Sequence, residues 1–352
     1  MKERIRTGTK ADRWGYVFVA PFLIAVAIFT LYPIINMVIM SFTNATNRDF
    51  TQSLRFLGFS NYTTVFDNDR FMSSIGNTWK LWIMNFIPQL GIALLLSVWF
   101  TSLRLRLKFI GIFRTIFYLP NLLMPATVAA LYNMLIGNSG PLNRMLYSLG
   151  ISQWLVKMNL VPENYLLITP GMDGAPDGIA VILTDIPSFM TGMVAYMQWW
   201  LWFGTTIIIV MAGMTSISVS LYESAYVDGA SGGTIFFKIT LPLLRPVMLY
   251  ILVTSLVGGM QIMDIPYMFN VNGRPGGRLG EFDTMNVVMV HQYFHGTRNP
   301  YGETRNLGLA AAAGMMIFGV ILIATIVLLL LMRIGKDKEP KKEKTRKGGV
   351  RA

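Results

Sequence analysis

Side chains able to make or break bonds are scarce in this chain. It has two histidines, His291 and His295, in the run His-Gln-Tyr-Phe-His. Four residues apart on a helix they would share one face and could hold a zinc ion. The glutamate that acts as base in a zinc-protease helix is missing, so they read as ordinary loop histidines. There is no cysteine, which excludes disulfides and thiolate metal sites. No Gly-x-x-x-x-Gly-Lys-Ser/Thr run is present, so the chain should not hydrolyse nucleotide itself. What remains are polar residues set singly inside long apolar runs: Asn85, Gln89, Asn121, Gln198, Ser255, Gln261 and Asp264. Groups of this kind hold a solute by hydrogen bonds or tie helices together; they do not form a catalytic constellation.

The elements that carry them follow from composition. Of 352 residues, 53% are hydrophobic and only 14% charged, against about 25% charged in soluble domains. Such a chain cannot cover a water-facing surface, so its solvent is a bilayer. Six apolar runs are long enough to cross roughly 30 Å of hydrocarbon as helices. They fall at about 15–41, 81–100, 115–136, 189–217, 246–269 and 307–332. The fifth alone carries an acid, Asp264, and an ionised aspartate costs about 2.5–3.5 kcal/mol on insertion scales. The reading is an all-α polytopic membrane protein with six transmembrane helices.

The net charge of +12 could suggest a nucleic-acid surface, but its placement excludes that reading. Twenty of the thirty Lys and Arg residues lie in residues 1–14, the second–third turn, the fourth–fifth loop and the tail. Those regions net +13 and everything else nets −1. Positive charge stays on the cytoplasmic side, which predicts an N-in, C-in topology. Residues 1–14 become a cytoplasmic segment, 15–335 the transmembrane domain, and 336–352 a basic cytoplasmic tail beside membrane lipid. The first apolar run is too long for a signal-peptide core and is read as a retained span. Residues 137–188, rich in Pro and Gly, are read as an extracytoplasmic insertion capping the spans.

The cytoplasmic loop 218–245 is unusual. It reads Leu221-Tyr222-Glu223-Ser224-Ala225-Tyr226-Val227-Asp228-Gly229-Ala230-Ser231, then Ile235 to Leu241, then Pro242. Leu221, Ala225 and Val227 can share a helical face, Glu223 suits a helix start, and Gly229 is placed to end that helix. Ile235–Leu241 forms a second amphipathic piece closed by Pro242. Two short apolar-faced helices at the membrane surface need a partner to cover them.

Glu223, Ala225, Gly229, Ile239, Leu241 and Pro242 fit the pattern E-S-A-x3-G-x9-I-x-L-P. This resembles the "EAA" coupling signature of binding-protein-dependent ATP-binding-cassette importer permeases, with Ser224 where alanine is usual. Ala20-Pro21-Phe22, Tyr32-Pro33, Tyr118-Leu119-Pro120 and Asp228-Gly229-Ala230-Ser231 point to the carbohydrate branch, similar to maltose and glycerol-3-phosphate permeases. The resemblance implies a type I importer permease fold in a bacterial cell membrane. It implies coupling through Glu223, Ser224, Ala225, Asp228, Gly229, Ala230, Ile239, Leu241 and Pro242 to a cytoplasmic ATPase dimer, which would hold ATP and Mg. No cofactor is expected in this chain. The partners implied are a second homologous permease subunit and an extracytoplasmic solute-binding protein; nucleic acid is not among them. The solute implied is a sugar or oligosaccharide, with a polyol or glycerol-phosphate as the alternative. An ion-coupled transporter would need ionisable residues along its spans, and five of the six lack them.

Sugars bind through aromatic faces and convergent polar groups. By the resemblance, Asn121, Gln198, Trp200, Ser255, Gln261 and Asp264 are the substrate-binding candidates. Asn85 and Gln89 are weaker, their ordinary role being interhelical hydrogen bonds. Trp199 and Trp202 read as interfacial aromatics. Gly258-Gly259 stands where some relatives carry asparagine.

Overall fold

A computed structural model describes residues 10–46, 54–102, 105, 108–136, 140–151, 154, 158, 166–168, 179–181, 186–269, 275–277, 280–294 and 306–334. The 336–352 tail and most of 137–188 lie outside the described residues. The architecture is helical. Among the described residues, five helical stretches are long and apolar enough to cross a membrane, and six if one bent pair counts as a span.

The chain enters on α1 (Lys10–Val26), passes through a π-helical turn (Ala27–Leu31) and continues as α2 (Tyr32–Ser41). Phe18, Phe22 and Phe29 stand exposed along it. Its second half, α2, packs against the last described helix of the chain, Leu307–Ile334, whereas the apolar face exposed along α1 fits lipid or a neighbouring subunit. The short α3 (Ser60–Phe66) holds its exit: the Asn61 amide donates to the carbonyls of Ser41 at 2.9 Å and Thr43 at 2.8 Å.

Next comes α4 (Asp69–Thr101), whose start is capped by the Asn68 side chain accepting from the Phe71 N–H. Charged residues Asp69, Arg70 and Lys80 mask its first turns in a hydropathy reading. Phe71, Ser74, Thr78, Leu81, Asn85 and Gln89 nevertheless keep helical spacing on its buried side.

The apolar run 115–136 is not one straight crossing. Helix α5 (Ile110–Tyr118) tightens into a 3₁₀ turn (Leu119–Leu122) and α6 (Pro125–Ile136) leaves at 89°. Pro125 contributes to the break, since it lacks an N–H and disfavours helical backbone in the residue before it. Pro120 sits in the first turn of the 3₁₀ segment, where its missing N–H is harmless. Beyond it lie α7 (Pro141–Ser148) and an antiparallel ribbon of β1 (Leu166–Ile168) and β2 (Ile179–Val181). The ribbon lies within the 137–188 insertion, and the apolar spans are helical as expected.

Helix α8 (Pro187–Thr215) is the central one, buried on most sides and packed along α4. Gly204 sets its approach to the bent pair, since a Cβ there would collide with the backbone carbonyl of Phe117. Gly204→Ala should force α8 off the Leu119–Leu122 turn and lower the thermal unfolding temperature in detergent. Gly192→Ala, with open space around it, should not; equal melting of the two variants would refute close packing at Gly204.

Three short helices follow: α9 (Val219–Val227), α10 (Gly232–Ile235) and, after a π-helical stretch (Phe236–Thr240), α11 (Leu241–Leu243). The fifth apolar run is interrupted. Helix α12 (Arg245–Met260) ends before Gln261, and α13 (Asp264–Met268) is a separate turn. Helix α14 (Met285–Val288) continues as a π-helical turn (Met289–Phe294), and α15 (Leu307–Ile334) closes the described chain.

A polar knot locks the α13 end of the bundle. Arg70 of α4 pairs with Asp283 through Nε at 2.6 Å and Nη2 at 2.9 Å. The Asp283 side chain is 1% exposed and that of Arg70 22%. Asn77 donates to the Gly280 carbonyl at 3.0 Å, and Met285 N–H donates to Thr78 at 3.1 Å. Gly276, with φ +83°, lies where any Cβ would strike the Asp283 carboxylate.

Candidate functional site

Helices α4, α8 and α12 enclose a cavity of about 300 Å³. From α4 come Trp82, Asn85 and Gln89; from α8 Gln198, Trp202, Thr205 and Thr206; from α12 Tyr250, Thr254 and Ser255. Among the described residues, its wall carries aromatic, aliphatic and polar side chains but no acidic or basic one.

The polar groups are in two states. Gln89 is engaged: its amide donates to the Thr206 hydroxyl at 2.6 Å and the Trp202 carbonyl at 3.3 Å. It ties α4 to α8, the role expected of it. Asn85 and Gln198 are 6% and 7% exposed, line the cavity, and make no hydrogen bond to any described residue. The buried Thr205 hydroxyl is likewise without a protein partner. Leaving a buried hydroxyl such as that of Thr205 unmet costs about 1–3 kcal/mol, so water or a ligand must satisfy it, and the Asn85 and Gln198 amides line the same space.

Trp82 is held on several sides. Its indole N–H donates to the Ser255 hydroxyl at 3.1 Å, and its ring stacks on Phe86 at 5.2 Å and 10°. A Cβ on Gly259 would strike the indole, so glycine there is what admits it. Trp202 presents its ring half-exposed on the opposite helix.

Among the sequence-derived candidates, Gln198 and Ser255 line this cavity. The others do not. Trp200 packs against the cluster of Val128, Ala129 and Met197, its ring 6.4 Å from Tyr132. Asn121 donates to the Leu201 carbonyl at 3.3 Å and stabilises the bend. Gln261 and Asp264 are exposed in the break after α12. Trp82, Trp202, Thr205, Tyr250 and Thr254 escaped the sequence reading. Helical spacing could have found Trp202: four residues after Gln198 it shares that face, whereas Trp200, two residues on, points away. His291 lies on the Met289–Phe294 turn and His295 outside the described residues. No group of three metal-ligating side chains occurs among the described residues.

At the Arg245 end of α12, the 218–245 segment forms a braced elbow. Helix α9 ends with Ala230 N–H donating to the Ala225 carbonyl at 2.9 Å and Gly229 N–H to Tyr226 at 3.1 Å. Gly229 has φ +75°. This is the Schellman arrangement, which needs a left-handed residue at that position. Ser231 then caps α10 by accepting from Thr234 N–H at 3.2 Å. The Tyr222 and Thr240 hydroxyls meet at 3.3 Å and brace the two arms. Glu223, Ser224 and Asp228 are exposed, as are the apolar Val227 at 87% and Phe237 at 67%.

Three details differ from the sequence expectation. Glu223 sits mid-helix, not at a helix start. Leu221 and Val227 are exposed whereas Ala225 is buried. Pro242 does not close its helix; it occupies the first turn of α11, where its missing N–H is harmless.

Residues 78–334 match the family model described as "Binding-protein-dependent transport system inner membrane component". The chain belongs to this family. It is therefore a multi-pass component of the cytoplasmic membrane. It is similar to the arabinooligosaccharides transport system permease protein AraP of Bacillus subtilis (strain 168), 29% identical over 316 residues. That match covers 90% of this chain and 87% of AraP. Its fold is similar to that of a bacterial ABC transporter involved in the import of the acidic polysaccharide alginate. There the TM-score is 0.68 at 22% identity, covering 92% of this chain and 96% of the other. The alginate transporter in complex with an alginate pentasaccharide-bound periplasmic protein matches at 0.66, with 22% identity and 93% and 96% coverage.

Proposed function

We propose that this chain is the permease subunit of an ATP-binding-cassette importer that brings a sugar or oligosaccharide into the cell. The observation that carries the reading is the cavity with unpaired Asn85, Gln198 and Thr205 between two tryptophans. Hydroxyl-rich solutes satisfy amides and hydroxyls, and their C–H faces pack on indoles. The relatives' names span arabinooligosaccharides and acidic alginate, which supports a saccharide without choosing one.

Energy comes from elsewhere. The Glu223–Pro242 elbow docks on a separate ATPase dimer that binds ATP and Mg, and this chain holds no cofactor. Support comes from Val227 and Phe237, apolar side chains left in solvent beside a rigid turn. A rigid protrusion with different contacts in two states is what transmits a rigid-body movement. The charge excess on the elbow's side supports an N-in, C-in topology. A second permease subunit completes the path, its expected contact being the exposed face of α1 and α2. An extracytoplasmic solute-binding protein delivers the sugar.

The test is uptake into liposomes by the purified assembly. Asn85→Ala and Gln198→Ala should each lower uptake about tenfold, one lost hydrogen-bonding group being worth about 1–3 kcal/mol. Assembly with the ATPase should be unaffected. Trp200→Ala should alter thermal stability more than apparent solute affinity. Unchanged transport kinetics in both amide variants would remove the cavity from the solute path.

A further inference from the structure

We infer that the cavity between α4, α8 and α12 selects an uncharged, hydroxyl-rich solute and rejects carboxylated, phosphorylated or sulfonated analogues. The inference rests on the importer reading and narrows its substrate class. Among the described residues, no lining side chain is acidic or basic. The charged residues nearest in sequence to the lining are Lys80 of α4, Arg245 of α12 and Asp264 of α13, and none of them lines the cavity.

An anion entering this space would give up its hydration and meet no countercharge. Burying a charge without a partner is among the most expensive steps in a protein interior. The groups on offer point the same way. Asn85 and Gln198, both more than nine-tenths buried, each present two N–H donors and a carbonyl acceptor. A sugar hydroxyl donates and accepts, so it can meet both halves of each amide. A carboxylate or phosphate only accepts, so wherever that group faces an amide the carbonyl half goes unmet. Thr205 adds an unpaired hydroxyl to the two amides. Gln89, tied to Thr206, belongs to the scaffold and not to the reading surface.

The aromatic part is specific to this chain's packing. Gly259 opens the space that the Trp82 indole fills, and the Trp82–Ser255 bond fixes the ring at the cavity wall. Recognition is thereby shifted onto α4, with Asn85 one turn below Trp82.

The assembled transporter in detergent, without its binding protein, can be titrated calorimetrically. The probes are neutral glucose- and arabinose-based oligosaccharides and uronate oligosaccharides of equal length. The neutral probes should bind about 100-fold more tightly. Asn85→Lys should move the ratio at least tenfold toward the uronates. Should that variant fail to assemble, Asn85→Asp must widen the gap instead. Uronates binding the wild type as tightly as the neutral sugars, or tighter, would overturn the inference and leave the saccharide reading standing. Binding of neither class, in an assembly whose ATP hydrolysis a different solute stimulates, would overturn the saccharide reading itself.

Discussion

Replacing Gly229 by valine should cut solute-stimulated ATP hydrolysis by the assembled transporter at least tenfold while leaving membrane insertion intact. The backbone there is left-handed, φ +75°. An L-residue pays about 1–2 kcal/mol in that region, and a β-branched one more. A Cβ at Gly229 meets nothing within 4 Å, so collision with neighbours cannot be the cause of an effect. The penalty is wholly conformational and falls on the Schellman turn joining α9 to Ser231 and α10. Unwinding that turn releases the Ala230 and Gly229 bonds and changes the angle at which Glu223 and Val227 meet a partner. Asparagine tolerates left-handed backbone, so Gly229→Asn should keep most of the activity. The readout is the ratio of solute-stimulated to basal hydrolysis in liposomes. A normal ratio in the valine variant would separate this turn from energy coupling.

Arg70→Leu should destabilise the protein by about 3–5 kcal/mol, the range for breaking a buried ion pair from one side. The two partners are not equivalent. Removing Arg70 strands the carboxylate of Asp283, which is almost fully enclosed and wedged against Gly276. Removing the charge of Asp283 leaves a guanidinium that is 22% exposed and reaches water. Asp283→Asn should therefore cost clearly less than Arg70→Leu, and Arg70→Leu with Asp283→Asn should recover part of the larger loss. Unfolding in detergent, followed by heat and by denaturant, measures all three. Equal losses from the two single variants would contradict the asymmetry.

The apolar runs were legible because lipid demands a simple pattern: about twenty uncharged residues per crossing. The breaks were not. Pro120 and Pro125 marked a disturbance in the third run, but an 89° bend is set by how α6 packs on α13 and α8. The start of α4 was hidden because Arg70 and Lys80 end the apolar run, although the buried stripe from Phe71 to Gln89 continues through them. At the site, residue type alone could not separate Asn85 from Gln89. Both are buried amides on one face of α4, and only the position of Thr206 across the interface decides that Gln89 is occupied and Asn85 free. Trp82 was missed for a related reason: its place depends on Gly259, 177 positions later, having no side chain. The elbow was more accessible, since a glycine that ends a helix follows from local backbone geometry.

The Arg70–Asp283 pair spans 213 positions of sequence. At a synthesis rate of about 5–20 residues per second, Asp283 is made roughly 10–40 s after Arg70. For that interval α4 is already synthesised with its guanidinium unmatched, and the Thr78–Met285 and Asn77–Gly280 bonds are equally unavailable. The bundle is thus fastened only when its last third is made. A ribosome stalled between these residues would leave a chain that is inserted but unlatched, and a membrane protease scanning for loose helices has its best opportunity then.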